Sequence, residues 1–197
     1  MKSVNLVASL PYNAEYLPGD FIGVDKGAQY LLEKNIDMIA VVGDFDSIDK
    51  TSYQNLLDNN TNIIKLDPIK DNTDLDKAIE YALARGYEAI NVYGALGQRV
   101  DHTLININLL KRNKMIRLFD ETSIIYVLKK GIHQIEINEY KYYSFFAIEE
   151  CNISLTNFKY PLKNYCLKLD DTLCISNEIQ GDACIEIDED IIVVVSK

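Results

Sequence analysis

The stretch NTDLDKAIEYALARGYEAINVYG, residues 72–94, decides the fold class. Leu75, Ala78, Ile79, Ala82 and Leu83 repeat at i, i+3 and i+4, which predicts a helix over 73–85 with one apolar face. Gly86 supplies the stop. Ala89 to Tyr93 follow at once with the composition of a strand, and Gly94 ends it. A strand reached through a helix joins the same sheet running parallel to its predecessor, because the helix is the crossover.

The same alternation runs outward in both directions. Upstream, strands are expected at 4–10, 21–24, 39–42 and 62–66, with helices at 27–35 and 52–59. Downstream come a helix at 101–112 and a strand at 116–119. Residues 1–120 therefore read as an α/β domain, a largely parallel sheet with flanking helices of Rossmann type. Beyond that point the pattern changes. Short β-rich runs at 124–128, 134–137, 142–148, 152–155, 166–169, 183–187 and 191–195 are separated by turn residues, and none has a helical period. Residues 121–197 read as an all-β sandwich domain.

The chain has 197 residues, of which 48% are hydrophobic, too many for a disordered polymer. Its net charge of −10 argues against non-specific nucleic-acid binding, which needs clustered Lys and Arg. A nucleotide is still admitted, since a metal ion bridges two sets of negative charge. Residues 1–120 hold 13 basic and 17 acidic side chains, and residues 121–197 hold 7 and 13. Cys151, Cys166, Cys174 and Cys184 lack zinc-site spacing and are expected as buried strand thiols in a reducing cytoplasm. No apolar run approaches the ~20 residues of a membrane span, and the start of the chain has no signal-peptide pattern. The expected setting is cytoplasmic, with no membrane partner.

In an open parallel sheet, ligands bind beyond the carboxyl ends of the strands. Those positions are rich in acids here. The expected strands are followed by Asp25-Lys26-Gly27, by Gly43-Asp44-Phe45-Asp46-Ser47, by the run from Asp67 to Asp74, and by the run from Gly94 to His102. Four strand ends thus deliver carboxylates to one rim. Asp44 and Asp46 are spaced to face one hard cation, and Mg²⁺ favours oxygen ligands together with substrate phosphates. An isolated Asp-x-Asp is usually a solvated turn, and Asp71 beside a cap at Asn72 or Thr73 suits a helix start. Capping does not account for the coincidence of these acids on neighbouring strand ends, where their repulsion requires a cation. Gly94 to Gly97 forms a glycine turn leading into a helix, suited to phosphate, with Arg99 as its cation. His102 is a candidate acid or a structural residue of the first helical turn.

Taken in order, VDKGAQYLLEKNI, VVGDFDSID, KDNTDLDKAIEYA, GALGQRVDHTLINI and FKYPLKNYCLKLDDTLCISNEI resemble the thiamine pyrophosphokinase (thiamine diphosphokinase) family. The resemblance covers about Gly23 to Glu178. It implies an α/β domain that carries nucleotide and metal, and a β-sandwich that completes a thiamine pocket. It also implies a homodimer with its active site at the subunit interface. By the family's pattern the metal carboxylates are Asp44, Asp46 and Asp74, joined by Asp71 and by Asp25 of the preceding strand end. Gly94, Gly97, Arg99, Asp101 and His102 match the nucleotide-contacting block, and Ser176 and Asn177 match the thiamine-facing part. The implied reaction transfers the pyrophosphoryl group of ATP to the hydroxyl of thiamine, with Mg²⁺ on the carboxylates. Asp71 is then the candidate general base, and Asp74 and Arg99 serve the transfer itself. The alternatives are transfer to another primary alcohol such as a pterin, and a silent thiamine or nucleotide sensor.

Overall fold

The computed structural model describes residues 1–44, 54, 56, 62–65, 72–97 and 99–197. These divide into two compact units, the first of Met1–Leu109 and Met115–Glu121, the second of Leu110–Lys114 and Thr122–Lys197.

The first unit is built on six strands, β1 (Ser3–Val7), β2 (Asp20–Val24), β3 (Ala40–Gly43), β4 (Asn62–Lys65), β5 (Ala89–Tyr93) and β6 (Ile116–Phe119). They lie side by side in the order β4-β3-β2-β1-β5-β6, and every pairing is parallel. Three helices complete it: α1 (Lys26–Glu33), α2 (Asp74–Ala84) and α3 (Val100–Arg112). The central strands are apolar on both faces: Val4, Leu6, Ile22, Val41, Ile90, Val92 and Leu118 are fully buried. Such near-continuous apolar runs are what a parallel sheet covered on both sides requires. Of the helix expected at 52–59, only Gln54 and Leu56 are described, and Leu56 is buried with Ala28 and Val41.

Helix α2 shows how the local code works. Thr73 is its N-cap, its hydroxyl accepting from the Asp76 amide at 3.2 Å. Arg85 closes the far end, and Gly86, at φ 73°, takes the left-handed position that ends the helix. Helix α1 is pressed hard onto the sheet. A Cβ on Gly27 would lie 1.9 Å from the Val7 carbonyl oxygen, so only glycine permits the helix to begin there.

The chain runs from β1 outward through β2, β3 and β4, then returns to the other side of β1 with β5. This reversal makes the β1–β5 boundary the topological switch point, the usual place for a ligand crevice. Pairing there continues past the strands, with the Ala8 amide donating to Tyr93 O at 2.8 Å and Leu10 to Gly94 O at 3.0 Å. Residues 8–19 have no regular structure and are held instead by aromatic burial. Tyr16 meets Tyr93 edge to face at 4.8 Å, and Tyr93 stacks on Phe119 at 4.7 Å. Two buried asparagines add a polar anchor: Asn91 donates to Asn5, whose own amide donates to Leu17 O at 2.7 Å.

The second unit has seven strands, β7 (Ser123–Leu128), β8 (Gly131–Ile135), β9 (Tyr142–Ala147), β10 (Cys151–Phe158), β11 (Leu162–Leu167), β12 (Ile179–Ile187) and β13 (Ile191–Ser196). β7-β13-β9 form one antiparallel layer and β11-β10-β12-β8 another. Phe145, Val193 and Ile191 from one layer share a core with Ile153, Leu155 and Ile185 from the other. This is the expected β-sandwich. The cysteines differ in part from expectation. All four are free, but Cys166 is exposed and Cys174 lies in the turn between β11 and β12 rather than in a strand. Among the described residues no helix is long and apolar enough to cross a membrane.

Candidate active site

A cavity of about 570 Å³ opens at the carboxyl edge of the parallel sheet. Its size is that of an ordinary small-molecule site. Its described lining residues belong to the first unit. Ala8, Ser9 and Leu10 come from beyond β1, Asp25 and Lys26 from beyond β2, Asp44 from beyond β3, and Gly94, Ala95 and Gly97 from beyond β5. Thr73 and Asp74 line it from the start of α2, and Arg99, His102 and Asn106 from the start of α3. Three helix N-termini therefore bound one cavity, and their partial positive charge offsets the acids placed among them.

Asp25 is the most constrained of those acids. It precedes α1 at φ 50° and ψ −123°, a backbone state that favours glycine, and its carboxylate makes no cap bond to the helix. Its amide is fixed instead by Val42 O at 3.0 Å. A Cβ on Gly43 would fall 2.4 Å from Asp25 Oδ1. The carboxylate thus occupies the space that a side chain at 43 would fill, directly beside Asp44. Asp74 stands at the first position of α2, where Thr73 has already taken the capping role. The cavity brings together Asp25, Asp44 and Asp74. Asp46 and Asp71, expected in the same cluster, lie outside the described residues, as does Gln98. Among the described residues no group of three acid, His or Cys side chains is close enough to hold a metal ion.

The glycine turn is stapled to α3. Asn106, almost fully buried, donates to Ala95 O at 2.7 Å, and the Gly97 amide donates to Thr103 Oγ1 at 3.1 Å. Gly94 and Gly97 have φ of 71° and 94°, and a Cβ on Gly94 would lie 2.5 Å from Leu10 O. Arg99 is not a free cation. Its Nε donates to Asp101 Oδ1 at 3.2 Å and its Nη2 to Oδ2 at 2.5 Å. Those bonds hold the Asp101 carboxyl below its usual range and push the guanidinium further up. Asp101 thus orients Arg99 and does not itself line the cavity, while His102 does.

Residues 19–120 match the family described as thiamin pyrophosphokinase, catalytic domain, and residues 132–192 match its vitamin B1 binding domain. The thiamine pyrophosphokinase of Bacillus subtilis is 39% identical over 91% of this chain and 90% of its own. The chain belongs to the thiamine pyrophosphokinase family. Solved structures agree. That of the thiamine pyrophosphokinase from Bacillus subtilis superposes with a TM-score of 0.88, at 34% identity over 100% of this chain and 99% of that one. A thiamin pyrophosphokinase family protein from Enterococcus faecalis gives 0.87 at 28% identity, with the same coverage. The activity is accordingly that of a thiamine diphosphokinase, a transferase.

Within the thiamine pyrophosphokinase frame, Ser176 and Asn177 belong to the second unit. Ser176 is exposed, at φ 53°, and its amide donates to Ser144 Oγ at 3.0 Å. Asn177 is buried, and its side chain clamps two backbone segments. Its Nδ2 donates to Tyr160 O at 2.8 Å, and its Oδ1 accepts from the amides of Tyr160 and Glu178 at 3.0 Å. Tyr160 is held at this place and is 60% exposed. Sequence reasoning missed Ser9, Lys26, Thr103 and Asn106. A signal for Lys26 was present, since it directly follows Asp25 at a strand end. Thr103 and Asn106 carry one too, being three apart on the helix after the glycine turn.

Proposed function

We propose that the cavity is the ATP and metal site of the enzyme, and that Asp44, Asp46 and Asp74 are its Mg²⁺ ligands. The observation that supports this is the convergence of Asp25, Asp44, Asp74 and the Gly94–Gly97 turn on one cavity at the switch point of the sheet. The donor set fits the ion: it is all oxygen, and Gly43 leaves the space in which a further carboxylate stands beside Asp44. When bound, Mg²⁺ supplies neutralisation of polyphosphate charge. The glycine turn and the helix N-termini present amides to phosphate oxygens, and Arg99, oriented by Asp101, adds donors where charge develops. His102 borders the same nucleotide site. Asp71 accepts the proton of the thiamine hydroxyl as its oxygen bonds to the β-phosphorus. The bond from that phosphorus to the α-phosphate oxygen breaks, and AMP leaves.

Thiamine is met by Ser176 and the Asn177 clamp of the second unit, with Tyr160 as the ring that stacks on it. Because thiamine is a cation, the surplus acid of the chain favours its approach. The enzyme works as a cytoplasmic homodimer whose active site lies at the subunit interface. Each unit offers an exposed apolar patch for that contact, Val100 and Leu104 on α3, and Leu169, Leu173 and Ile175 between β11 and β12.

AMP release from ATP plus thiamine tests the reading directly. It should require a divalent cation, stop on chelation and resume when Mg²⁺ is restored. Asp44→Asn and Asp74→Asn should each lower turnover by about 100-fold or more while circular dichroism and thermal unfolding stay near wild type. Unchanged turnover in both variants would remove the metal site.

A further inference from the structure

Arg99, the cation that the sequence singles out, is already gripped by Asp101 through two nitrogens. Lys26 stands differently. It occupies the first position of α1, is exposed, and lines the same cavity as Asp44, Asp74, Gly94 and Gly97. Among the described residues it enters no ion pair, although Asp25, Asp44 and Asp74 border the cavity with it. Its position runs against the local rule. The first turn of a helix favours acids, and α1 has none there and a lysine instead. Nor is the turn able to swing away, because Gly27 is packed against the Val7 carbonyl. A cation fixed where the scaffold is itself electropositive, without a carboxylate partner among the described residues, is a local conflict of the kind found where a ligand supplies the missing charge.

We propose that Lys26 binds the polyphosphate chain of the nucleotide, as a second cation beside Arg99. The assignment rests on the nucleotide reading of the cavity given above. The two cations divide the work by their chemistry. A guanidinium already forked onto a carboxylate has a fixed plane, whereas an ammonium on a flexible stem follows a phosphate oxygen as a point charge. The ligand class is a metal-bound triphosphate, not the cationic acceptor, which an ammonium would repel.

The test compares wild type, Lys26→Met and Lys26→Arg in AMP release with ATP varied at saturating thiamine, and then with thiamine varied. Calorimetry with inorganic tripolyphosphate and Mg²⁺ on the same proteins reads phosphate binding without turnover. Lys26→Met should raise the KM for ATP by about tenfold or more, weaken tripolyphosphate in step, and leave the KM for thiamine within about twofold. Lys26→Arg should recover most of both losses, and the deficit should shrink as salt is raised. An ATP KM and a tripolyphosphate affinity both within about twofold of wild type in Lys26→Met would overturn the assignment. A wild-type protein that binds tripolyphosphate through Lys26 yet releases no AMP would sink the nucleotide reading instead.

Discussion

Asp25 carries the clearest mark of function at the scale of single residues. Holding a non-glycine residue at φ 50° and ψ −123° costs about 1–3 kcal/mol, and folding alone would have been better served by glycine. The carboxylate is what glycine lacks, and it stands beside Asp44. Two substitutions separate backbone from side chain. Both Asp25→Gly and Asp25→Ala should lose AMP release, but the glycine variant should be the more stable by about 1 kcal/mol, read from urea midpoints. Equal stabilities would mean that the backbone there is unstrained. The acid itself was legible in the sequence, because it follows a strand. Its strain was not, since nothing in the residue order VDKGA fixes the sign of a dihedral. Lys26 was passed over for a related reason: attention to carboxylates at strand ends hides the cation standing between them.

Among elements, the helix starts were the most legible part. Thr73 caps α2 and Gly86 ends it as the periodicity and turn residues require, and β5 and β6 fall where their apolar runs do. Strand edges in the second unit were less so. β8 runs over Gly131–Ile135 rather than 134–137, and β10 and β12 extend well beyond the runs expected for them. Their pairing shifts register between Thr156 and Phe158, where Asn157 has φ 57° and Gly181 on the partner strand has φ 96°. Such an irregularity breaks the two-residue alternation that a sequence reading relies on. The staple of the glycine turn was hidden too, because Asn106 reaches back 11 residues to Ala95. Asn106→Leu removes that donor from a buried carbonyl. It should cost about 1–3 kcal/mol of stability and raise the KM for ATP more than that for thiamine, checked by urea unfolding and AMP release. A KM for ATP unchanged against a lowered urea midpoint would make Asn106 structural only.

At the scale of the whole molecule, the two-part architecture was readable because hydrophobic period switches from 3.6 to 2 near residue 120. Assembly was not, because an exposed leucine looks the same in sequence as a buried one. Leu104, 59% exposed at an apolar helix face, tests it. Leu104→Glu should shift sedimentation from dimer to monomer and abolish thiamine turnover, while Mg²⁺ and tripolyphosphate still bind. A fully active monomer would exclude a shared site. That prediction draws on the described lining of the cavity, which comes from residues between Ala8 and Asn106. On the proposed reading, the described part of the phosphate-handling surface comes from the first unit, Met1–Leu109 and Met115–Glu121. If the sandwich meets thiamine as proposed, acceptor preference becomes an interchangeable trait: recombination at the boundary would exchange the sandwich for another lineage's version and bring in a new alcohol while leaving the donor chemistry intact.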